Sequence, residues 1–205
     1  MSQEQDENPQ EQPQESSLNE EALTQILIPA EEEIRTVGLC GDIDEEKTAE
    51  LLGAMVTLSE SAPSSIPSPI KFLLSTGGGS AYEMFALYDA MKMIQKNCEI
   101  HTVGLGKVMS AGVLLLAAGT KGERAIGRNC RIMIHGVVAG PGQAQIDNLE
   151  NELEEIRWIQ DQYIKALASE ATIKKSDLKK LIDKNINNYF TAKQAIKMGI
   201  ADKIL

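Results

Sequence analysis

The sequence predicts an α/β fold in which a mainly parallel sheet and its helices form one sizeable domain. Strand-like and helix-like segments alternate four times, which favours right-handed β-α-β crossovers. The segment 70–75 (IKFLLS) is short and almost wholly apolar, as is typical of a strand buried on both faces of a parallel sheet. A chain of 205 residues with 42% hydrophobic residues is long enough to bury such a core.

The individual elements follow from hydrophobic periodicity and from turn and cap residues. Residues 35–41 predict a first strand, and Asp42 or Asp44 is a plausible N-cap for the helix after it. The further predicted elements are the strand 70–75, a helix over 81–96, a strand over 99–106, a short apolar helix after Ser110, a strand over 131–135, helices over about 144–168 and 176–184, a short strand near 189–190 and a final helix within 191–199. No internal sequence repeat is found.

The net charge of −10 is concentrated near the N-terminus. Residues 1–35 contain ten acidic residues and one basic residue, which leaves 20 acids against 19 bases in the remaining 170 residues. The almost neutral body has no concentrated basic patch, so no nucleic-acid binding is expected. Residues 1–20 are rich in Gln, Glu and Pro with almost no apolar side chain, which predicts a disordered acidic tail. Residues 21–205 are predicted to form the single folded domain.

The three cysteines, Cys40, Cys98 and Cys130, lie in or beside apolar segments without C-x-x-C spacing. Their odd number and context favour reduced, buried thiols in a cytoplasmic protein over a disulfide framework. The sequence has no apolar run of 18 residues and no signal-peptide pattern at its acidic N-terminus. We therefore expect no membrane association. With only two histidines and no cluster of Cys or carboxylate around them, we also expect no metal or other cofactor.

The glycine turn TGGGS, Gly77–Ser80, follows a strand and opens a helix. Its backbone N–H groups could hold an anion or an oxyanion. It lacks G-K-[ST] and G-x-G-x-x-G, which argues against a nucleotide site. Taken alone, a tight strand-to-helix turn without a ligand is the more common meaning of such a motif.

Ser110 and His135 are the candidate catalytic pair, although each also has a structural explanation. Ser110 stands between a glycine-containing segment and a buried apolar helix, where a serine is most often an N-cap, but where it could also form a nucleophile elbow without G-x-S-x-G. His135 ends an apolar strand, and there a structural role is at least as common as catalysis. Nothing in the sequence around His101 indicates a functional partner, so His101 is expected to be structural.

Together these motifs give the chain a specific resemblance. It resembles the proteolytic subunit of the Clp protease, the ClpP family, from about Arg35 to Leu205. The matching pieces are LLSTGGGS, MSAGVLLLAAGTKGER, RIMIH with 25 positions from serine to histidine, GPGQAQIDNLENELEEI and TAKQAIKMGIADKI. The resemblance implies a ClpP/crotonase-like spiral of repeated β-β-α units with a long protruding helix-strand handle.

By this resemblance, Ser110 is the nucleophile and His135 its general base in a serine endopeptidase. The oxyanion donors would be the backbone N–H groups of Gly78 and Ala111, with Ala111 where the family usually has Met. The third residue of the catalytic triad differs from the family pattern. The position of the family's Asp is occupied here by Asn187, or by Asn188 in the alternative register. An Asn can orient a histidine but cannot stabilise the imidazolium with a full charge, so slowed or conditional activity is expected.

The resemblance also implies a substrate groove and partners. Gly79, Ser80, Gly136 and Val137 would pair with an extended peptide. The chain would form stacked heptameric rings, a tetradecamer, with the helix over 144–168 between the rings, and an AAA+ Clp ATPase would deliver unfolded polypeptides. Residues 1–34 do not resemble the family's pore-lining N-terminal segment, which leaves ATPase docking through that segment in question.

Two other functions remain open at this point. The chain could be a weakly active or inactive ClpP-like regulatory subunit that co-assembles with an active paralogue, which the Asn at the third position favours. It could also be a relative of acyl-CoA hydratases, which share the crotonase-like spiral but lack a Ser–His pair at this spacing.

Overall fold

The structure is a computed structural model that describes residues 34–61, 68–138 and 146–205. Along these segments it contains β1 (Thr36–Cys40), α1 (Glu45–Glu60), β2 (Ile70–Thr76), α2 (Ala81–Ile94), β3 (Ile100–Met109), α3 (Ala111–Ala117), β4 (Ala125–Ile126), β5 (Arg131–Ile134), α4 (Ile146–Glu170), α5 (Lys175–Ile182), β6 (Asn188–Thr191), α6 (Ala192–Lys197) and β7 (Lys203–Ile204). The predicted α/β class is confirmed. The predicted tail, residues 1–20, lies outside the described residues. No helix in the described segments is long and apolar enough to cross a membrane.

The sheet is parallel except at one edge. Its strand order is β1-β2-β3-β4-β7, while β5 pairs with β3 and with the antiparallel β6. The first half of β3 pairs with β4, and its last three residues, Lys107 to Met109, pair with β5. The strand β3 therefore ends beside β5, directly before Ser110.

The predicted end of β3 is wrong, because the strand continues through Met109 instead of stopping at residue 106. The glycine-containing segment is not a turn but an irregularity in the ladder with β2. Leu74 pairs with Gly104, whereas Thr76 pairs with Val108, so β3 contains two additional residues there. Gly106 has a φ of 64°, which glycine adopts at little cost and which lets the chain re-enter the strand.

The core is aliphatic and centres on α3, in which every residue is buried. Strand β2 buries Ile70, Phe72 and Leu74 completely on one side. On its other side Lys71 is exposed and Leu73 is half-buried, so the predicted burial on both faces is wrong for this side. At α1 the N-cap is Asp44, whose carboxylate accepts the backbone N–H of Lys47.

The cysteines agree with the expected thiol chemistry only in part. All three are free, and Cys98 and Cys130 are buried. Burial raises the pKa of the Cys130 thiol to about 11. Cys40 is exposed, so the predicted burial is wrong there. It ends β1, where alternate residues face solvent, and the apolar neighbourhood in the sequence did not reveal that alternation.

A buried arginine joins the C-terminal segment to the ends of two helices. The guanidinium of Arg124 is 4% exposed and donates to both carboxylate oxygens of Asp202, at 2.5 and 2.8 Å. It also donates to the carbonyl oxygens of Ala117 and Glu170, at the ends of α3 and α4. Hydrogen bonds from Arg124 hold the pKa of Asp202 down at about 2.

Replacing Asp202 by Asn should destabilise the protein by about 2 kcal/mol at neutral pH, because the folded state holds the pKa of this carboxyl at about 2, from 3.8. A lowered carboxyl pKa stabilises the fold above the unfolded-state pKa, and that stability is lost as the pH falls from about 4 to about 2. Denaturant unfolding of both proteins across this range should therefore show them converging. Asp177→Asn, which breaks an exposed pair with Lys180, should change stability by about 1 kcal/mol at most.

Candidate active site

Ser110 has a strained backbone conformation, and its side chain does not cap the helix that follows it. Its φ is 54° and its ψ is −123°, and its side chain makes no capping hydrogen bond to α3. The N-cap explanation that such a position favours is therefore wrong here. A non-glycine residue in this region costs about 1–3 kcal/mol and persists only where its surroundings enforce it. Sharp strand-to-helix turns of this kind present a serine hydroxyl at the end of a strand.

Contacts from three other elements hold Ser110 in this conformation. Its N–H donates to the carbonyl oxygen of Met133 on β5 at 2.8 Å. Its own carbonyl oxygen accepts the N–H of Val113 at 3.0 Å and the hydroxyl of Tyr163 on α4 at 3.2 Å. Both backbone polar groups of the serine are thus satisfied, while its hydroxyl has no hydrogen-bond partner among the described residues.

The predicted glycine turn lies directly against this serine. Gly78 has a φ of 107°, and a Cβ on it would stand 2.7 Å from Cβ and 3.1 Å from Oγ of Ser110. Gly79 has a φ of 151°, and a Cβ there would lie 2.2 Å from the carbonyl oxygen of Ile43. Only glycine combines these dihedral angles with this close approach. The turn therefore brings the backbone of Gly78 close to Ser110, and the next residue, Ala111, begins α3.

The predicted oxyanion donors differ in availability. The N–H of Ala111 is in the first turn of α3 and has no acceptor among the described residues, as is usual for a helix start. The N–H of Gly78 instead donates to Oγ1 of Thr76 at 3.0 Å, and Thr76 is fully buried. The N–H of Gly79 has no acceptor within the part of the chain that the structure describes. Of the two predicted donors, the N–H of Ala111 is therefore uncommitted and that of Gly78 is not, whereas the N–H of the next residue, Gly79, is uncommitted among the described residues.

His135 follows the last residue of β5 and is half-buried. Because Met109 pairs with Met133 in parallel strands, Ser110 and His135 both lie at the carboxyl ends of adjacent strands. This explains how a separation of 25 positions brings them to one edge of the sheet. His101 lies elsewhere on β3, where its Nε2 contacts the Glu99 carboxylate at 2.8 Å, as expected for a structural histidine.

The strand register distinguishes the two candidate asparagines. In the antiparallel ladder between β5 and β6, Ile134 pairs with Asn188. Asn187 is therefore the residue opposite His135, just beyond the end of the ladder. The side-chain nitrogen of Asn188 donates to the carbonyl oxygens of Ile134, Leu181 and Ile186 at 3.0–3.2 Å. Asn188 therefore ties β6 to the end of α5, whereas Asn187 is exposed and has no committed hydrogen bond among the described residues.

The structure brings Ser110, His135 and Asn187 to the same edge without joining them. Among the described residues no hydrogen bond links their side chains, and none of the three side chains bonds elsewhere. Catalytic hydrogen bonds are often long in free enzymes and shorten when substrate binds. The strand register therefore brings a serine, a histidine and an asparagine to one edge of the sheet.

The predicted substrate-binding residues are partly engaged in the fold. The N–H of Ser80 donates to the carbonyl oxygen of Ile43, and its hydroxyl caps α2, so Ser80 is first a structural cap. The N–H of Val137 donates to Oε1 of Gln160 at 3.2 Å. Gly136 lies beside the same amide and leads towards residues 139–145, which lie outside the described residues. Of these four residues, Gly79 and Gly136 are the less engaged in hydrogen bonds of the fold.

Three residues at the site were not identified from the sequence as functional. Thr76, Gln160 and Tyr163 each place a side-chain oxygen against the backbone of the glycine turn, of Val137 or of Ser110. Tyr163 lies within the predicted helix over about 144–168. Its hydroxyl was the available signal, because a buried tyrosine hydroxyl usually has a hydrogen-bond partner.

Comparison with known proteins identifies one family of similar sequences. A sequence model described as "Clp protease" matches residues 21–205. The chain is 30% identical to the "ATP-dependent Clp protease proteolytic subunit 2" of Corynebacterium jeikeium, over 84% of this chain and 79% of the relative. It is 28% identical to the subunit 2 of Streptomyces coelicolor and 29% identical to the subunit 4 of Streptomyces avermitilis, over 84% of this chain and 76% and 74% of those proteins.

Proposed function

Because this chain belongs to the Clp protease family, we propose that it is the ATP-independent serine endopeptidase core of a barrel-shaped protease. It cleaves unfolded polypeptides that an AAA+ Clp ATPase delivers. The observation that carries this function is the strained Ser110, with a φ of 54° and an uncommitted hydroxyl, beside the strand β5 that His135 directly follows. A chain that had lost catalysis would have no use for this conformation, which costs free energy.

The chemistry is acyl transfer. His135 takes the proton of the Ser110 hydroxyl as the oxygen attacks the peptide carbonyl, and it returns the proton to the leaving amine. The negative charge that develops on the carbonyl oxygen is stabilised by backbone donors. The N–H of Ala111 is one of them. Since Thr76 already accepts the N–H of Gly78, the N–H of Gly79 is the better available second donor.

Asn187 supports the reaction less strongly than a carboxylate would. Its side-chain oxygen can accept the Nδ1–H of His135 and so fix the tautomer in which Nε2 faces the serine. The amide is neutral and adds no full charge to stabilise the imidazolium. The enzyme is therefore slower at the chemical step than a relative with Asp at this position.

The alternative of an inactive subunit that only tunes an active paralogue is less well supported. It predicts loss of the nucleophile, yet the chain keeps both Ser110 and His135, and the N–H groups of Ala111 and Gly79 have no acceptor among the described residues. An acyl-CoA hydratase function has no support from the family match, which covers residues 21–205. An enzyme whose activity is only reduced by Asn187, within an otherwise intact site, also accounts for the asparagine at this position. It does so without requiring a loss of function.

The quaternary structure and partners follow from the family. The relatives are named as ATP-dependent Clp protease subunits, and we extend to this chain the dependence on a Clp ATPase. We place it in stacked heptameric rings, either alone or with a ClpP paralogue, with α4 between the rings. The three free cysteines favour the cytoplasm.

Degradation of an unfolded protein separates these functions. The purified chain alone should hydrolyse a short fluorogenic peptide, and it should degrade casein only when a Clp ATPase and ATP are added. Size-exclusion chromatography with light scattering should show an assembly of about fourteen subunits. Peptide hydrolysis that appears only after a ClpP paralogue is added, and that survives Ser110→Ala in this chain, would instead support the regulatory function.

A further inference from the structure

Tyr163 is a buried polar residue at the active site for which the reaction as described has no role. It lies on α4, 53 residues from Ser110 in sequence, and its side chain is almost fully buried with 6% exposure. Its hydroxyl is 3.2 Å from the carbonyl oxygen of Ser110. A carbonyl oxygen can only accept, so the phenol is the donor. Burial raises the pKa of Tyr163 far above its usual value, which keeps the hydroxyl protonated.

The carbonyl that Tyr163 contacts belongs to a functional peptide group. The peptide unit between Ser110 and Ala111 is planar, with the carbonyl oxygen and the N–H pointing in opposite directions. Fixing the direction of the Ser110 carbonyl therefore fixes the direction of the Ala111 N–H. That N–H has no acceptor among the described residues and is the proposed oxyanion donor. The orientation of this single plane thus sets the orientation of the oxyanion hole.

Two donors hold this plane, and only one of them is local. The N–H of Val113 donates to the Ser110 carbonyl at 3.0 Å, but this bond lies within the first turn of the short helix α3, where hydrogen bonds are easily rearranged. Tyr163 approaches from a different element, the 25-residue helix α4, and is anchored among core residues that include Leu167. The second donor therefore fixes the plane against the body of the protein.

We propose that Tyr163 is a positioning residue for catalysis, which aims the Ala111 N–H at the oxyanion by holding the Ser110 carbonyl. This inference rests on the proposed peptidase function and adds a residue to it. Because the oxyanion forms only in the transition state, loss of this hydroxyl should weaken transition-state binding and leave substrate binding unchanged.

The test is the variant Tyr163→Phe, which removes one oxygen and keeps the buried ring. We expect kcat for a fluorogenic peptide to fall about three- to tenfold with KM unchanged, as for loss of one hydrogen bond. A peptide boronate, which forms a tetrahedral adduct with the serine, should lose affinity by the same factor. The corresponding peptide amide, which cannot form an adduct, should bind as tightly as before.

A matched control is Tyr88→Phe. Tyr88 is half-buried on α2 and donates its hydroxyl to the buried Glu170 carboxylate at 2.9 Å, within an ion-pair cluster that the catalytic residues do not share. Its loss should lower thermal stability without changing kcat. Titration of reactive serine with a fluorophosphonate gives kcat per active site, so that any loss of assembled protein in either variant is corrected.

The outcomes are distinguishable. An unchanged kcat in Tyr163→Phe, or equal losses in both tyrosine variants, would overturn the positioning role while Ser110→Ala remained inactive. A fall in kcat without the matching loss of boronate affinity would also overturn it, because a general structural defect would be sufficient. Wild-type activity in Ser110→Ala would overturn the peptidase assignment itself, and the positioning role with it.

Discussion

Replacement of Ser110 by alanine should abolish peptide hydrolysis, with a fall in kcat on the order of 10⁴-fold or more. The hydroxyl of Ser110 is the group that we propose forms the acyl-enzyme, and without it this covalent intermediate cannot form. The backbone should tolerate the change, since alanine removes one atom that has no hydrogen-bond partner. Steady-state hydrolysis of a fluorogenic peptide by the assembled protein measures the loss.

The control for this substitution is a serine on α4 that lies outside the candidate site. The hydroxyl of Ser169 donates to the carbonyl oxygen of Ala166 at 2.7 Å and also hydrogen-bonds with Tyr88. Ser169→Ala should retain full activity. Comparable activity in wild type and Ser110→Ala would mean that another residue, or a contaminating peptidase, is responsible for hydrolysis.

Replacement of Asn187 by aspartate should increase kcat/KM at neutral pH by about 10- to 100-fold. A carboxylate accepts the Nδ1–H of His135 as the amide does, and it also stabilises the imidazolium that forms in the transition state. Asn187 is exposed and has no hydrogen bond within the described residues, so the new charge breaks no contact there. Initial rates with the same fluorogenic peptide measure the gain.

Asn188→Asp is the matched control, because it introduces the same charge one residue away. The amide nitrogen of Asn188 donates to three backbone carbonyls, and a carboxylate cannot donate to any of them. This variant should show no gain in activity and should lose about 1–3 kcal/mol of stability. A gain from Asn188→Asp with none from Asn187→Asp would show that the register places the wrong asparagine beside His135.

The sequence predicts only part of the strand arrangement around the candidate site. The apolar run 131–135 predicts the strand that leads to His135, but the predicted strand over 99–106 stops short of Ser110, because the irregularity at Gly106 has the sequence pattern of a turn. In the structure β3 extends through Met109, and its parallel pairing with β5 brings the two carboxyl ends to one edge. The spacing of the motifs then indicated the protein family. The choice between Asn187 and Asn188 was not available in this way, because a shift of one residue along a strand reverses which face a side chain occupies.

The remaining differences arise from contacts between residues far apart in sequence. A serine before a helix has the same local sequence pattern whether it caps the helix or adopts a φ of 54°. The close approach of Gly78 and the hydrogen bonds to β5 and α4 decide between the two conformations. Likewise, the acceptor that Thr76 offers to Gly78 and the donor that Tyr163 offers to Ser110 depend on packing. Periodicity predicts that such residues are buried, but not where their hydroxyl groups point.

The most direct test of the proposed catalytic centre is to locate a serine-reactive adduct. The assembled wild-type protein is treated with a fluorophosphonate, digested and analysed by peptide mass spectrometry, with His135→Ala treated in parallel. The proposed mechanism predicts one modified residue, Ser110, labelled much more slowly in the His135 variant because the base is missing. An adduct at a different serine, or labelling of Ser110 that does not depend on His135, would contradict it.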